Sequence, residues 1–227
     1  NFTGTGIAHW FVMVGFGALF GTLITAYGQL ISPDFALPII GHFVGYELFA
    51  EVIAALTGIG IVTLIGIRQA TRFWHKGRTS RFAGSNQGRA YYVEATILAV
   101  VFCVIALRGL EGALAGEKSW SLHYAISWPA VTFFSSWSTS AIESAIVVVA
   151  AAKIFVSMLW FIVIASNLTM GVAWHRFLAF FNIYFKRNID QPSLGALPEM
   201  LSHGKPVNFE DPAEDDVFGL GTRGDIS

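Results

Sequence analysis

Apolar residues run along this chain in long blocks rather than at every second position or along one stripe of a helix. A helix that crosses a bilayer needs about 20 mostly apolar residues, and residues 7–31, 43–67, 90–110 and 141–173 each supply them. Between the third and fourth blocks, residues 124–137 are also apolar, but Pro129 and several serines interrupt them. That stretch is expected to form a re-entrant or interfacial piece. The pattern predicts an all-α transmembrane bundle of four spans. Beyond residue 187 the blocks give way to Pro, Gly and acidic residues, including Glu210-Asp211-Pro212-Ala213-Glu214-Asp215-Asp216. Residues 1–187 therefore read as the membrane domain, and 188–227 as a polar linker that cannot bury enough apolar surface to fold alone.

Composition agrees: 54% of the 227 residues are hydrophobic, 15% aromatic and only 13% charged, with a mean hydropathy of +0.59, unlike a soluble domain. The formal charge of −1 conceals a segregation that orients the chain. Arg68, Arg72, Lys76, Arg78, Arg81 and Arg89 crowd the loop between the second and third spans, and Arg176, Lys186 and Arg187 follow the fourth. Short loops rich in Lys and Arg stay in the cytoplasm. The first span is thus expected to start inside and the fourth to end inside, in a multi-pass plasma-membrane protein with a cytoplasmic C-terminus. No nucleic-acid partner is expected. The chain begins at Asn1 with no basic leader or cleavage site, so it reads as a fragment without a signal peptide. A single cysteine, Cys103, rules out an internal disulfide and any cysteine-ligated cluster built from this chain alone.

Among the six histidines, His9 and His175 fall at the cytoplasmic ends of the first and fourth spans, at one depth on antiparallel helices. Two imidazoles so placed can ligate one heme iron from opposite faces. The plainer reading is an interfacial belt with the neighbouring Trp10 and Trp174. Gly15, Gly17, Ala18 and Gly21 would let a macrocycle approach the backbone, or would let helices pack closely. His42 and His123 belong to the outer side, as candidates for a second heme or a quinone headgroup, or as solvated loop residues. His75 and His203 read as solvated.

Ionisable groups within spans mark functional sites by default. Glu47 and Glu51 lie one helical turn apart near the outer end of the second span, close to His42, and are candidates for exchanging protons with a quinone. The alternative is packing electrostatics. Lys153 and Glu143 on the fourth span are candidates for an internal ion pair, and Glu94 for pairing with loop arginines. Neither a nucleophile–base pair nor a phosphate-binding loop nor a metal-ligand motif is present, which removes hydrolytic chemistry from consideration.

Three runs carry a family resemblance: Gly77-Arg78-Thr79-Ser80-Arg81-Phe82-Ala83-Gly84-Ser85, Thr169-Met170-Gly171-Val172-Ala173-Trp174-His175-Arg176-Phe177, and Gly204-Lys205-Pro206-Val207-Asn208-Phe209-Glu210-Asp211-Pro212. On these the chain resembles the membrane-anchored iron–sulfur oxidoreductases of actinobacteria that are related to heterodisulfide reductase. Their membrane part is similar to the gamma subunit of respiratory nitrate reductase, a helical b-type cytochrome. The resemblance implies a five-span protein with one helix upstream of Asn1 and a cytoplasmic iron–sulfur domain beyond the linker. It implies electron transfer to menaquinone, with electron-transfer flavoprotein as the donor partner. It further implies a heme b on His9 and His175, with Arg176 and Arg78 or Arg81 neutralising its propionates on the cytoplasmic side. Ala173 stands where related proteins often carry a second histidine, and the deeper positions hold none, which argues for one heme.

The leading expectation is therefore the membrane part of a quinone reductase. The alternatives are a cofactor-free anchor that forms a quinone pocket with His42, Glu47 and Glu51, and a transporter that uses Lys153 and the outer acids.

Overall fold

In the computed structural model, described for residues 3–74, 86–186, 201–203, 205–206, 208 and 210–211, each apolar block becomes helical, but two of the four are broken. Residues 43–67 and 90–110 lie within α3 (Val44–Trp74) and α4 (Gln87–Leu114). The first block divides into α1 (Thr3–Ala18) and α2 (Phe20–Gln29), which meet at 42° around Leu19. Following α5 (Trp128–Phe134), the fourth block forms α6 (Thr139–Ser166), and a turn then leads to α7 (Gly171–Tyr184). Among the described residues three helices are long and apolar enough to cross a membrane, or four if the bent α1–α2 pair is one span.

Local polar chemistry explains both breaks. At the first, the Thr22 hydroxyl donates to the Leu19 carbonyl at 2.6 Å, and the Thr22 N–H donates to the same oxygen at 3.1 Å. At the second, Asn167 donates from Nδ2 to the Val163 carbonyl (2.8 Å), while its own carbonyl accepts from Met170 N–H (3.0 Å). Short polar side chains compete with the helical ladder in this way. His175 therefore does not end the fourth span, as hydropathy suggested. It sits on a separate helix that folds back after Ser166.

The chain divides into two compact units, residues 1–181 and 182–227. In the first, α4 is the spine. It contributes Leu107 and Leu110 to a cluster with Ala26, Ile142, Ile146 and Ala150. Val101 and Val104 join Leu19, Ile53 and Ala54, and Val93 joins Trp160, Ile164, Met170 and Ala173. Large apolar side chains such as Ile59, Phe102, Val148, Phe155 and Ile162 point outward, as a lipid-facing bundle requires. Lipid gives no hydrophobic drive for helix association, so close backbone approach matters. A Cβ on Gly15 would lie 1.9 Å from Thr57 Oγ1, and one on Gly60 would lie 2.7 Å from the Ala8 carbonyl oxygen. Gly15 thus serves the α1–α3 contact, whereas nothing approaches Gly17 within 4 Å. In the second unit, β1 (Leu201–Ser202) and β2 (Lys205–Pro206) form a short antiparallel ladder, with His203 at φ 51° in the turn.

Antiparallel alternation sorts the polar residues to two ends. The starts of α1 and α4, the end of α3 and α7 share one end. The end of α2, the start of α3, the end of α4 and α5 share the other.

Candidate functional site

At the first end, α7 brings His175 against α1. Its placement depends on Trp174, whose indole N–H lies 3.2 Å from the carbonyls of both Ile164 and Asn167 and so ties α7 to the end of α6. The His175 Nδ1 lies 3.3 Å from the Gly171 carbonyl. When Nδ1 donates there, Nε2 is the nitrogen with the lone pair, the usual orienting device for a ligating histidine. The His9 and His175 rings have centroids 5.9 Å apart with planes tilted by 36°. The two imidazoles thus meet from separate helices at this end, and they are the residues that would hold a metal-centred cofactor here. Ala173 is fully buried among Val93, Trp160, Ile164 and Met170, in a site already filled by apolar contacts.

Arg176 lies deeper than the sequence suggested. Its guanidinium stacks over Phe16 at 5.0 Å and Trp160 at 5.5 Å, and Phe16 is seven residues beyond His9, about 10 Å along the helix. It lines an apolar slot with Val12, Phe20, Ile97, Val101 and Phe161. Among the described residues no carboxylate pairs with it, so an anionic group near the histidines would find a cation already desolvated. Arg78, Arg81 and His75 lie outside the described residues.

Also at this end, Arg68 pairs with Glu94 at 2.6 Å and reaches the Tyr91 ring. This is the pairing of Glu94 expected from the loop arginines.

A buried charge cluster occupies the opposite end, with Arg108 at its centre. Its guanidinium donates to Glu47 (3.1 Å), Glu51 (3.3 Å), Glu111 (2.6 Å) and the His123 carbonyl, and it lies 4.7 Å from the Tyr124 ring centroid. Glu51, 0% exposed, spends both oxygens on structure. One accepts from the N–H groups of Ile126 and Ser127 (2.8 and 3.1 Å), and the other from the Ser127 hydroxyl (2.5 Å) and Arg108. It thereby caps the start of α5, whose N-cap residue Ser127 makes no side-chain bond to the helix's own backbone. Glu47 bonds through its second oxygen to His123 Nδ1, and the His123 side chain is 39% exposed. The proton-exchange pair expected from sequence is therefore split: Glu51 is a cap, and Glu47 alone links the interior to a surface histidine.

Lys153, 1% exposed, does not pair with Glu143. Its Nζ donates to the Thr22 carbonyl (2.7 Å) and hydroxyl (2.8 Å) beside the α1–α2 break. Next to it lies a cavity of about 250 Å³ lined in part by Gln29, His42, Tyr46, Glu47, Arg108 and Glu111. Gln29 donates from Nε2 to Glu111 at 2.6 Å, but its Oε1 and the Tyr46 hydroxyl are buried without a hydrogen-bond partner. Nothing in the sequence pattern sets Gln29 and Tyr46 apart. Arg108 was open to detection, since Glu47, Glu51 and Glu111 need a cation at their depth.

No group of three or more His, Cys, Asp and Glu side chains gathers as a metal site among the described residues. Comparison with protein-family models, curated proteins and solved structures gave no match to this chain.

Proposed function

We propose that this chain is the membrane electron-transfer module of a menaquinone oxidoreductase, built like the gamma subunit of respiratory nitrate reductase. The carrying observation is the His9–His175 pair, with ring centroids 5.9 Å apart on two separate helices. In this reading His9 and His175 would hold a heme b, which would supply one-electron transfer between cytoplasmic iron–sulfur clusters, on sequence outside this chain, and menaquinone in the bundle. The source of the electrons in this reading is electron-transfer flavoprotein. His175 is oriented through Gly171 and Trp174, and Arg176 supplies positive charge for a propionate from within the slot. Dithionite-reduced spectra of the protein expressed with its natural flanks under heme-replete conditions test the reading. A b-type α-band is expected, lost in His175→Ala and in His9→Ala. No band in the wild type, or an unchanged band in both variants, refutes it.

A second reading, a cofactor-free anchor with a quinone pocket, draws on the polar cavity beside Lys153. It predicts full quinone reductase activity from protein that shows no heme band.

A further inference from the structure

We propose that the connection between α2 and α3, residues 30–43, lies in the membrane, with its apex Ile39 against the acyl chains of the leaflet at the Arg108 end. Among the described residues of the first unit, Ile39 is the one non-glycine residue with positive φ, at 69°. A β-branched side chain adopts that conformation only under strain. The Ile40 N–H donates back to the Pro38 carbonyl at 2.8 Å and closes a three-residue turn around Ile39. That turn leaves the Ile39 side chain 100% exposed, beside Ile31 at 90% and the exposed Ile40 and Phe43. Backbone strain kept in order to display an apolar side chain points to a partner that takes the side chain up.

Several observations identify that partner as lipid. Phe20, Ile24, Tyr27 and Ile31 recur at helical spacing and are all exposed, so the outward stripe of α2 continues past Gln29 into the connection. The start of α3 lies below the end of α2. Tyr46, in the first turn of α3, has its hydroxyl 3.1 Å from where a Cβ on Gly21 would lie, and Gly21 precedes Gln29 by eight residues, about 12 Å along the axis. Residues 30–43 therefore turn back beside the bundle instead of standing off in water, and the Phe35 ring lies against Gly28. Asp34 is the single charged residue among them. Exposed Trp120 and Trp137 at the same end are the aromatic residues expected at headgroup level. Irregular backbone is tolerated at membrane depth where its polar groups are paired or line a wet cavity. Both conditions hold here. The N–H groups of Phe35, Ile40, Gly41 and Phe43 bond to carbonyls within the connection, Pro33 and Pro38 have none, and the inner side of the connection lines the polar cavity beside Lys153.

The inference goes beyond electron transfer and needs neither heme nor quinone; it rests only on the spans crossing a bilayer. Its test replaces Ile39, and separately Phe43, with the photocrosslinker p-benzoylphenylalanine in the full-length protein, irradiated in membrane vesicles from the expressing cells. Phe155, 66% exposed on α6, is the lipid-facing reference, and Lys118, exposed after α4, is the aqueous one. All four side chains are exposed, so the substitutions leave the core intact, and gel filtration checks each variant. Mass spectrometry of the products should show phospholipid adducts at Ile39 and Phe43 at least fivefold above Lys118 and close to the yield at Phe155. A smaller excess over Lys118 at both positions puts the connection in water and overturns the inference. A protein–protein crosslink as the main product at both assigns the surface to a second copy or another chain and overturns it as well. A Phe155 yield no higher than that of Lys118 would remove the bilayer from the bundle and defeat the proposed function too, whereas failure at Ile39 and Phe43 alone leaves that function standing.

Discussion

Replacing Arg108 with methionine should be among the most damaging single changes in the bundle. The substitution keeps most of the side-chain volume and removes the one guanidinium that bonds Glu47, Glu51 and Glu111. It also withdraws the donor to the His123 carbonyl and the cation over Tyr124. Glu47 and Glu51 are buried, at 4% and 0% exposure, and a buried charge stripped of its partner costs about 3–5 kcal/mol. For a chain of this length, each kcal/mol moves the melting midpoint by about 2–4 °C. Arg108→Met should therefore melt about 6–20 °C below wild type in detergent, followed by tryptophan fluorescence. Arg108→Lys keeps the charge but not the fork that reaches several carboxylates at once, and should fall between the two. A midpoint for Arg108→Met within about 2 °C of wild type would mean that the carboxylates are held without it, and the account of this end of the bundle would fail.

Other outcomes follow from the geometry. Asn86 accepts from Arg89 N–H at 2.9 Å as the N-cap of α4, so Asn86→Ala should cost about 1 kcal/mol, seen as a small drop in melting temperature without loss of helicity. Gly15→Ala should destabilise by about 1–3 kcal/mol through the clash with Thr57, and adding Thr57→Ala should recover part of the loss in the same melt. Burial pushes the Tyr124 phenol, which lies outside the four spans, from 10.0 up to about 12 despite the opposing pull of Arg108. The folded state favours the neutral phenol, so its contribution is complete below pH 10 and is lost as pH rises through about 12. Wild-type minus Tyr124→Phe phenolate absorbance should show a midpoint near the higher value, and a midpoint near 10 would contradict the burial.

The spans were legible because membrane crossing depends on length and apolarity, and α3, α4 and α6 satisfy both without help. Antiparallel alternation, also readable from sequence, was enough to bring His9 and His175 to one end. The breaks at Leu19 and Asn167 were not legible, since apolar residues continue on both sides and the cause is a few local hydrogen bonds. That hid α7, and with it the inward turn of Arg176. Pairing Lys153 with Glu143 overlooked helix geometry: ten residues set them about 15 Å apart along the axis, so Lys153 found Thr22 on another helix. The cavity was invisible for a different reason. Gln29 and Tyr46 look ordinary in sequence, and only the packing of α2, α3 and α4 leaves their oxygens without partners.

The spacing between the histidine pair and Lys153 bears on energy coupling. Thr22, which holds Lys153, is 13 residues beyond His9, about 20 Å along the helical path, or roughly two thirds of a hydrocarbon core about 30 Å thick. In the proposed function, with the histidine end in the cytoplasm, an electron that travelled this distance would cross a comparable share of the transmembrane voltage, worth about 1.5 kcal/mol for every 100 mV. Under the function proposed above, a membrane negative inside would push electrons outward, so their delivery at this depth would be pulled forward by the membrane potential. An uncoupler would then slow it even with donor and quinone in excess.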